Sequence, residues 1–216
     1  MKKTAIVVGA TGLVGRELVR QLLDDTRWGK VVVVARRGLD IKAEALEEHL
    51  VDFDHIEDWQ YLLQGHSLFI CLGTTLKQAG SKQVMRQIDL DLPIQLATIA
   101  KQHQVQDCLV ISSLMANANS SAYYLRLKGE LEQQLASLQF ERLMIFRPGP
   151  LLGERSSPRF SEQVVAAMQP LFGFTYSPLK AWRGIRAEDL AQLMISKANS
   201  STVERQQVFE KETLFS

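Results

Sequence analysis

Near the N-terminus, an apolar, β-branched run over Thr4–Val8 gives way to a segment with apolar positions at helical spacing over Leu13–Leu23, and then to a second apolar run, Val31–Ala35. Short runs without interior polar positions suit strands buried on both faces, and the longer periodic segment suits a crossover helix. Strand, helix, strand in that order is the βαβ signature of a parallel sheet. Further strands are predicted at Leu50–Phe53, Ser67–Leu72, Cys108–Ser112 and Leu143–Arg147. Helices are predicted between them, over Lys82–Gln102, where Pro93 kinks or breaks the pattern, and over Ala122–Leu138. After Arg147 the pattern turns irregular, cut by Pro148, Pro150, Pro158, Pro170 and Pro178, and the stretch from Leu151 to Trp182 is where a substrate pocket is expected. A helix at Glu188–Ala198 and a strand near Gln207–Phe209 end the chain. The expected fold is α/β, a doubly wound and mostly parallel sheet with helices on both faces. The whole span 1–216 reads as one domain, with 148–216 as a small substrate-side cap.

Composition narrows the class without changing this picture. At 216 residues the chain is long enough for one well-buried core and short for two full domains. Lys plus Arg number 25 against 24 Asp plus Glu, so no global field favours nucleic acid or an anionic membrane. Glycines and charges interrupt the N-terminal apolar run too early for a secretory signal, and no stretch approaches the roughly 20 apolar residues of a membrane span. A cytoplasmic protein is therefore expected. Cys71 and Cys108 fall in predicted buried strands, where a thiol behaves as a small hydrophobe. His49, His55, His66 and His103 are scattered singly, so no metal site is expected. Outer helices could form a homodimer interface that periodicity does not reveal.

The candidate chemistry begins where the first strand meets the first helix. Gly9-Ala10-Thr11-Gly12-Leu13-Val14-Gly15 has G-x-x-G-x-x-G spacing in the strand-to-helix context that a dinucleotide fingerprint requires. Small residues there let backbone N–H groups reach a pyrophosphate, and the helix N-terminus adds its positive end. A Rossmann nucleotide fold is the expectation, with Gly9, Thr11, Gly12, Leu13, Val14 and Gly15 at the cofactor. The second strand ends in Arg36 and Arg37 with no acid beside them, and Asp40 comes later. Paired guanidiniums suit the 2′-phosphate of NADP(H) better than the free ribose of NAD(H), which a carboxylate would hold. They also suit a plain solvated strand end. Asp52 and Phe53, at the end of the third predicted strand, are placed to frame the adenine, although Asp52 also fits a turn.

Tyr124 and Lys128 form Y-x-x-x-K inside a predicted helix, one turn apart on one face. A nearby cation lowers a phenol's pKa from its ordinary value of about 10, which suits proton exchange at a carbonyl during hydride transfer. Lys128 also has the reach to hold a nicotinamide ribose. Ser112 and Ser113 follow the fifth predicted strand, where a hydroxyl points into the crevice and can orient a substrate carbonyl. Tyr123 is one residue too far from Lys128 for the same pairing.

Taken together these residues resemble the short-chain dehydrogenase/reductase superfamily, in particular its atypical branch of NAD(P)H-binding proteins similar to the Tat-interactive oxidoreductase-like proteins. Besides the glycine turn, Cys71-Leu72-Gly73-Thr74-Thr75 looks like the branch's fourth-strand motif beside the cofactor, and Ile111-Ser112-Ser113 looks like its serine strand. Arg147-Pro148-Gly149-Pro150-Leu151-Leu152-Gly153 resembles the segment that passes the nicotinamide. The resemblance implies Ser113, Tyr124 and Lys128 in catalytic positions, the second serine of such a pair usually taking the role. It also implies that Leu72, Gly73, Thr74, Pro148 and Gly149 line the cofactor. Two departures stand out: the fourth-strand motif lacks an asparagine-rich form, and the C-terminal region is much shorter than in sugar-nucleotide epimerases. The expected function is an NADP(H)-dependent oxidoreductase acting on a small carbonyl or alcohol. The alternative is a non-catalytic module that senses the nucleotide.

Overall fold

The structure, a computed structural model, describes residues 2–152, 184–201 and 204–214. The strands are β1 (Lys3–Val8), β2 (Trp28–Ala35), β3 (Leu46–Leu50), β4 (Ser67–Ile70), β5 (Asp107–Ile111), β6 (Arg142–Arg147), β7 (Leu151–Leu152), β8 (Ile185–Arg186) and β9 (Gln206–Glu210). The helices are α1 (Leu13–Asp24), α2 (Leu76–Ala79), α3 (Lys82–Arg86), α4 (Leu92–Gln102), α5 (Tyr123–Ser137) and α6 (Ala187–Asn199). Seven strands make one sheet in the order β3-β2-β1-β4-β5-β6-β9, every neighbouring pair parallel. The chain steps outward from β1 to β3, then crosses back to lay β4 on the other side of β1. The crevice at that switch, beyond the carboxyl ends of β1 and β4, is where open α/β sheets bind their ligands.

Burial on both faces explains the apolar runs. On one face Leu18 and Leu22 of α1 and Leu190 and Met194 of α6 pack over Val7, Val33, Phe69 and Phe146. On the other, Leu96 of α4 and Leu127, Leu131 and Leu135 of α5 cover Ile6, Val8, Leu68 and Val110. The expected fold class is thus the observed one.

Three expectations need correction. The third strand is Leu46–Leu50, not Leu50–Phe53: among the described residues it is an edge strand pairing only with Val31–Ala35, so it tolerates Glu47, Glu48 and His49 and carries no apolar run to betray it. The expected helix over Lys82–Gln102 is α3, a π-helical turn over Gln87–Asp91, then α4 with Pro93 in its first turn. Proline cannot donate to the carbonyl four residues back, and the widened turn accommodates it. Finally, the C-terminal piece is not merely a cap. Helix α6 packs on the same sheet face as α1, and β9 adds the seventh strand beside β6, with Phe209 stacked on Phe146 at 4.9 Å. Beyond Leu151 and Leu152, the segment expected to line the substrate pocket lies outside the described residues.

Candidate functional site

At Gly9 and Gly15 the glycine turn is built by backbone contacts that leave no room for a side chain. Gly9 has φ +84°, and a Cβ on it would lie 2.5 Å from the carbonyl carbon and oxygen of Cys71, at the end of β4. Gly12 N–H donates to the Gly9 carbonyl at 3.0 Å, closing the turn. A Cβ on Gly15 would sit 2.2 Å from the Gly9 oxygen, so the first turn of α1 lies directly against the end of β1. Helix α1 opens with no side-chain cap and no acidic residue in its first turn. Its orphan N–H groups and positive end are left for an anion, the arrangement in which helix termini hold phosphates. The residues present thus fit a dinucleotide pyrophosphate.

Arg36 and Arg37 stand exposed immediately beyond β2, and among the described residues neither has a hydrogen-bond or ion-pair partner. The loop behind them is anchored: Leu39 N–H donates to Glu48 at 2.7 Å, and Arg16 donates to the Leu39 carbonyl at 2.8 Å. Asp52 and Phe53 follow β3 instead of ending it. Asp52 accepts from Asp54 N–H in a turn, and Phe53 packs edge-on against Trp59, whose indole donates to the Asp52 carbonyl at 2.7 Å. Both remain at the carboxyl edge of the sheet.

Around α5 the structure brings together Tyr124, Lys128, Ser113 and a residue the sequence reading missed, Asp89. Lys128 is buried, 2% exposed, and its Nζ lies 2.8 Å from Oδ1 of Asp89, which is fully buried. Asp89 Oδ2 accepts from the Thr74 N–H at 3.0 Å. The Lys128 Nζ is 5.9 Å from the Tyr124 ring centre, and the Ser113 hydroxyl lies beside the phenol. Leu72 and Gly73 complete the crevice wall, Gly73 exposed with room in front of it: a Cβ there would stand 3.6 Å from Asp89 and 4.0 Å from Lys128.

Lys128 does pull the phenol's pKa down, as expected, but it does not set the net direction. Burial pushes Tyr124 upward; Lys128 and Ser113 oppose this while Asp89 adds to it, and the net direction is up. Burial works against the Lys128 cation, but Asp89, Tyr124 and Glu132 outweigh it and hold the amine charged. Cys71, in the same crevice, is pushed up to about 12 by burial and is no nucleophile.

The two serines divide their tasks. Ser112 Oγ donates to Glu132 of α5 at 2.5 Å, and Arg147 at the end of β6 holds the same carboxylate with two bonds, at 2.9 and 2.6 Å, while also reaching Glu210 of β9 at 3.1 Å. That network ties β5, α5, β6 and β9 together beneath the crevice and leaves Ser113 facing Tyr124. Leu114 N–H donates to the Pro148 carbonyl at 3.0 Å, so Pro148 and Gly149 border the serine loop. Tyr123 is used elsewhere, donating to the Lys82 carbonyl at 2.8 Å.

Gly129 is a second unread position. Its Cβ would fall 2.1 Å from Ala118 N and 2.3 Å from the Asn117 carbonyl carbon, because the loop after Ser113 lies on α5 at that point. Gly129→Ala should therefore destabilise the fold by about 2–3 kcal/mol, as overpacking against backbone does, and displace Ser113 from Tyr124. Chemical denaturation checks the first effect; unchanged stability would mean the loop is free to lift.

Comparison with known proteins places the chain. The HIM1 family model matches residues 27–173. Protein HTATIP2 of Rattus norvegicus is 35% identical over 164 residues, covering 74% of this chain and 67% of that protein. Protein FMP52, mitochondrial, of Candida glabrata is 39% identical over 157 residues, covering 71% and 66%. The chain thus spans about two thirds of the length of these relatives. Among solved structures, MoeE5 in complex with UDP-glucose and NAD superposes with a TM-score of 0.73 at 18% identity, over 95% of this chain and 75% of that one. The likeness confirms the Rossmann-type fold. The relatives also overturn the cytoplasmic expectation, since FMP52 proteins are named mitochondrial. Neither a secretory signal nor a membrane span bears on that address. From the shared sequence and the fold it encodes, the chain belongs to the HIM1 family.

Proposed function

We propose that this protein binds NADP(H) and catalyses hydride transfer to or from a small carbonyl or alcohol substrate. The observation that carries the reading is the convergence of Tyr124, Lys128 and Ser113 on the crevice that the uncapped end of α1 opens. The cofactor supplies the hydride; the protein's own residues do the rest. Backbone N–H groups from Leu13 to Gly15 hold the pyrophosphate, with Gly12 making room for it, and Arg36 and Arg37 take the 2′-phosphate. Asp52 and Phe53 flank the adenine. Leu72, Gly73, Thr74, Pro148 and Gly149 border the nicotinamide half, and Lys128 holds its ribose. Ser113 orients the substrate oxygen, and Tyr124 gives or takes its proton.

The test is calorimetric titration of NADPH and NADH into the wild-type protein and into the Arg36→Ala/Arg37→Ala double variant. NADPH should bind more tightly than NADH, and the double variant should lose at least about tenfold for NADPH alone, given the strength of charge-assisted hydrogen bonds. Failure of both nucleotides to bind would overturn the reading. Turnover is tested with Tyr124→Phe, expected to lower the rate about 10²–10⁴-fold with nucleotide affinity unchanged, the usual weight of a general acid. Because the phenol's pKa lies above its ordinary value, carbonyl reduction should stay flat through neutral pH, and alcohol oxidation should rise toward alkaline pH. Nucleotide binding without turnover of any carbonyl would leave the sensing module as the better description.

A further inference from the structure

We propose that Asp89 is the positioning and charge-balancing residue of the site: it holds Lys128 in place, ties it to the crevice loop at Thr74, and keeps Tyr124 a proton donor. The inference rests on the acid–base role given to Tyr124 above and goes beyond it.

The geometry starts with the π-helical turn. Gln87–Asp91 is wound wide ahead of Pro93, and that turn delivers Asp89 to the wall of the crevice, fully buried. A carboxylate carried out of water keeps its charge only where something compensates it. Oδ2 is satisfied by the Thr74 N–H at 3.0 Å, and Oδ1 has no other donor aligned on it among the described residues; its compensation is the Lys128 ammonium at 2.8 Å. The lysine in turn depends on Asp89. Glu132, one turn further along α5, is already committed to Ser112 and Arg147. One carboxylate therefore joins two elements that a bound nucleotide would touch, the loop after β4 and the lysine of α5.

The charge balance has a chemical consequence. Among the described residues, the charged and hydrogen-bonding groups facing the phenol are Lys128 from its own helix, Asp89 from the π-helical turn and the Ser113 hydroxyl from the loop after β5. With the Lys128 cation matched by the Asp89 anion, little net charge is left to stabilise a phenolate, so the phenol keeps its proton at neutral pH. A neutral amide at the same position would leave the cation uncompensated and draw the phenol toward ionisation. The carboxylate thereby biases the pair toward giving a proton, the direction that carbonyl reduction needs.

The experiment is a pH titration of Tyr124 by NMR of the protein labelled with 13C at tyrosine Cζ, without nucleotide, in wild type and Asp89→Asn, with Tyr124→Phe identifying the resonance. The amide keeps an oxygen for the Thr74 N–H. Tyr124 should titrate at least about one pH unit lower in Asp89→Asn than in wild type, and Asp89→Asn/Lys128→Met should abolish that downward shift. An unshifted Tyr124 in folded Asp89→Asn would overturn the proposal. Should Asp89→Asn not fold, Asp89→Asn/Lys128→Met decides against wild type, burial being common to both: a Tyr124 midpoint close to that of wild type supports charge balance, and one well above it refutes it. Because no nucleotide is present, these outcomes are independent of the calorimetric test, so loss of either reading can be told from loss of the other.

Discussion

Asp89→Ala should lower the free energy of unfolding by about 3–5 kcal/mol at neutral pH, the usual cost of removing one partner from a buried ion pair. Lys128 is 2% exposed and Asp89 not exposed at all, so neither water nor another described carboxylate can take over the charge. Lys128 in the native protein has its pKa raised, and the stability this confers is present below the amine's ordinary value, about 10.4, and lost as pH rises through the folded value. In the alanine variant only Tyr124 and Glu132 still oppose burial, so the amine's pKa falls below its native value and the variant recovers part of its deficit as pH rises and the amine sheds its proton. The gap between the two proteins should narrow on the alkaline side. Urea denaturation at pH 7 and pH 10 measures it, with Asp89→Leu/Lys128→Met as the control that removes both charges and should recover most of the loss. A deficit below about 1 kcal/mol at pH 7 would mean that water reaches Lys128 and that the pair is not sealed as the geometry has it.

Why this pair escaped the sequence while Tyr124 and Lys128 did not is a matter of spacing. Two residues a helical turn apart announce their proximity in the chain itself. Asp89 and Lys128 meet only because the sheet lays β4 beside β5 and a π-helical turn rotates one carboxylate inward, which neither period nor motif encodes. The same holds for Gly129, whose necessity comes from a loop folding back onto α5. The long apolar runs of β1, β2, β4, β5 and β6 were legible because a strand buried on both faces must be apolar throughout. The edge strand β3 had no such demand, and Leu46-Glu47-Glu48-His49-Leu50 reads as a polar loop until Val31–Ala35 is seen to pair with it. The C-terminal helix and strand were legible as elements but not in their place, since local pattern does not say that β9 returns to the far side of β6. The glycine turn was legible in full, because its geometry follows from where side chains are absent.

That geometry predicts a graded response to adding one methyl group. Gly9→Ala combines a left-handed backbone, which costs an L-residue about 1–2 kcal/mol, with a Cβ 2.5 Å from the Cys71 carbonyl of a neighbouring strand. Gly15→Ala drives its Cβ to 2.2 Å from the Gly9 oxygen and 2.8 Å from the Gly9 carbonyl carbon, and backbone on both sides leaves nothing that can yield. Each should destabilise the protein by about 3 kcal/mol or more and abolish nucleotide binding, the upper end of what overpacking does. Gly12 differs in kind. Its Cβ would come no closer than 3.2 Å, to the Gly9 oxygen, so Gly12→Ala should cost less than about 1 kcal/mol. Yet that methyl group stands at the N-cap of α1, where a pyrophosphate must approach the backbone, and it should weaken nucleotide binding at least tenfold while the fold survives. Thermal unfolding and calorimetry on the three variants separate the two effects. Wild-type affinity in Gly12→Ala would remove the turn from the nucleotide site; full stability in Gly15→Ala would show that α1 does not pack on the end of β1 as described. A loss of binding in Gly12→Ala with its melting temperature intact is the outcome that only a nucleotide cradle produces, because a turn needed for packing alone would lose stability along with affinity.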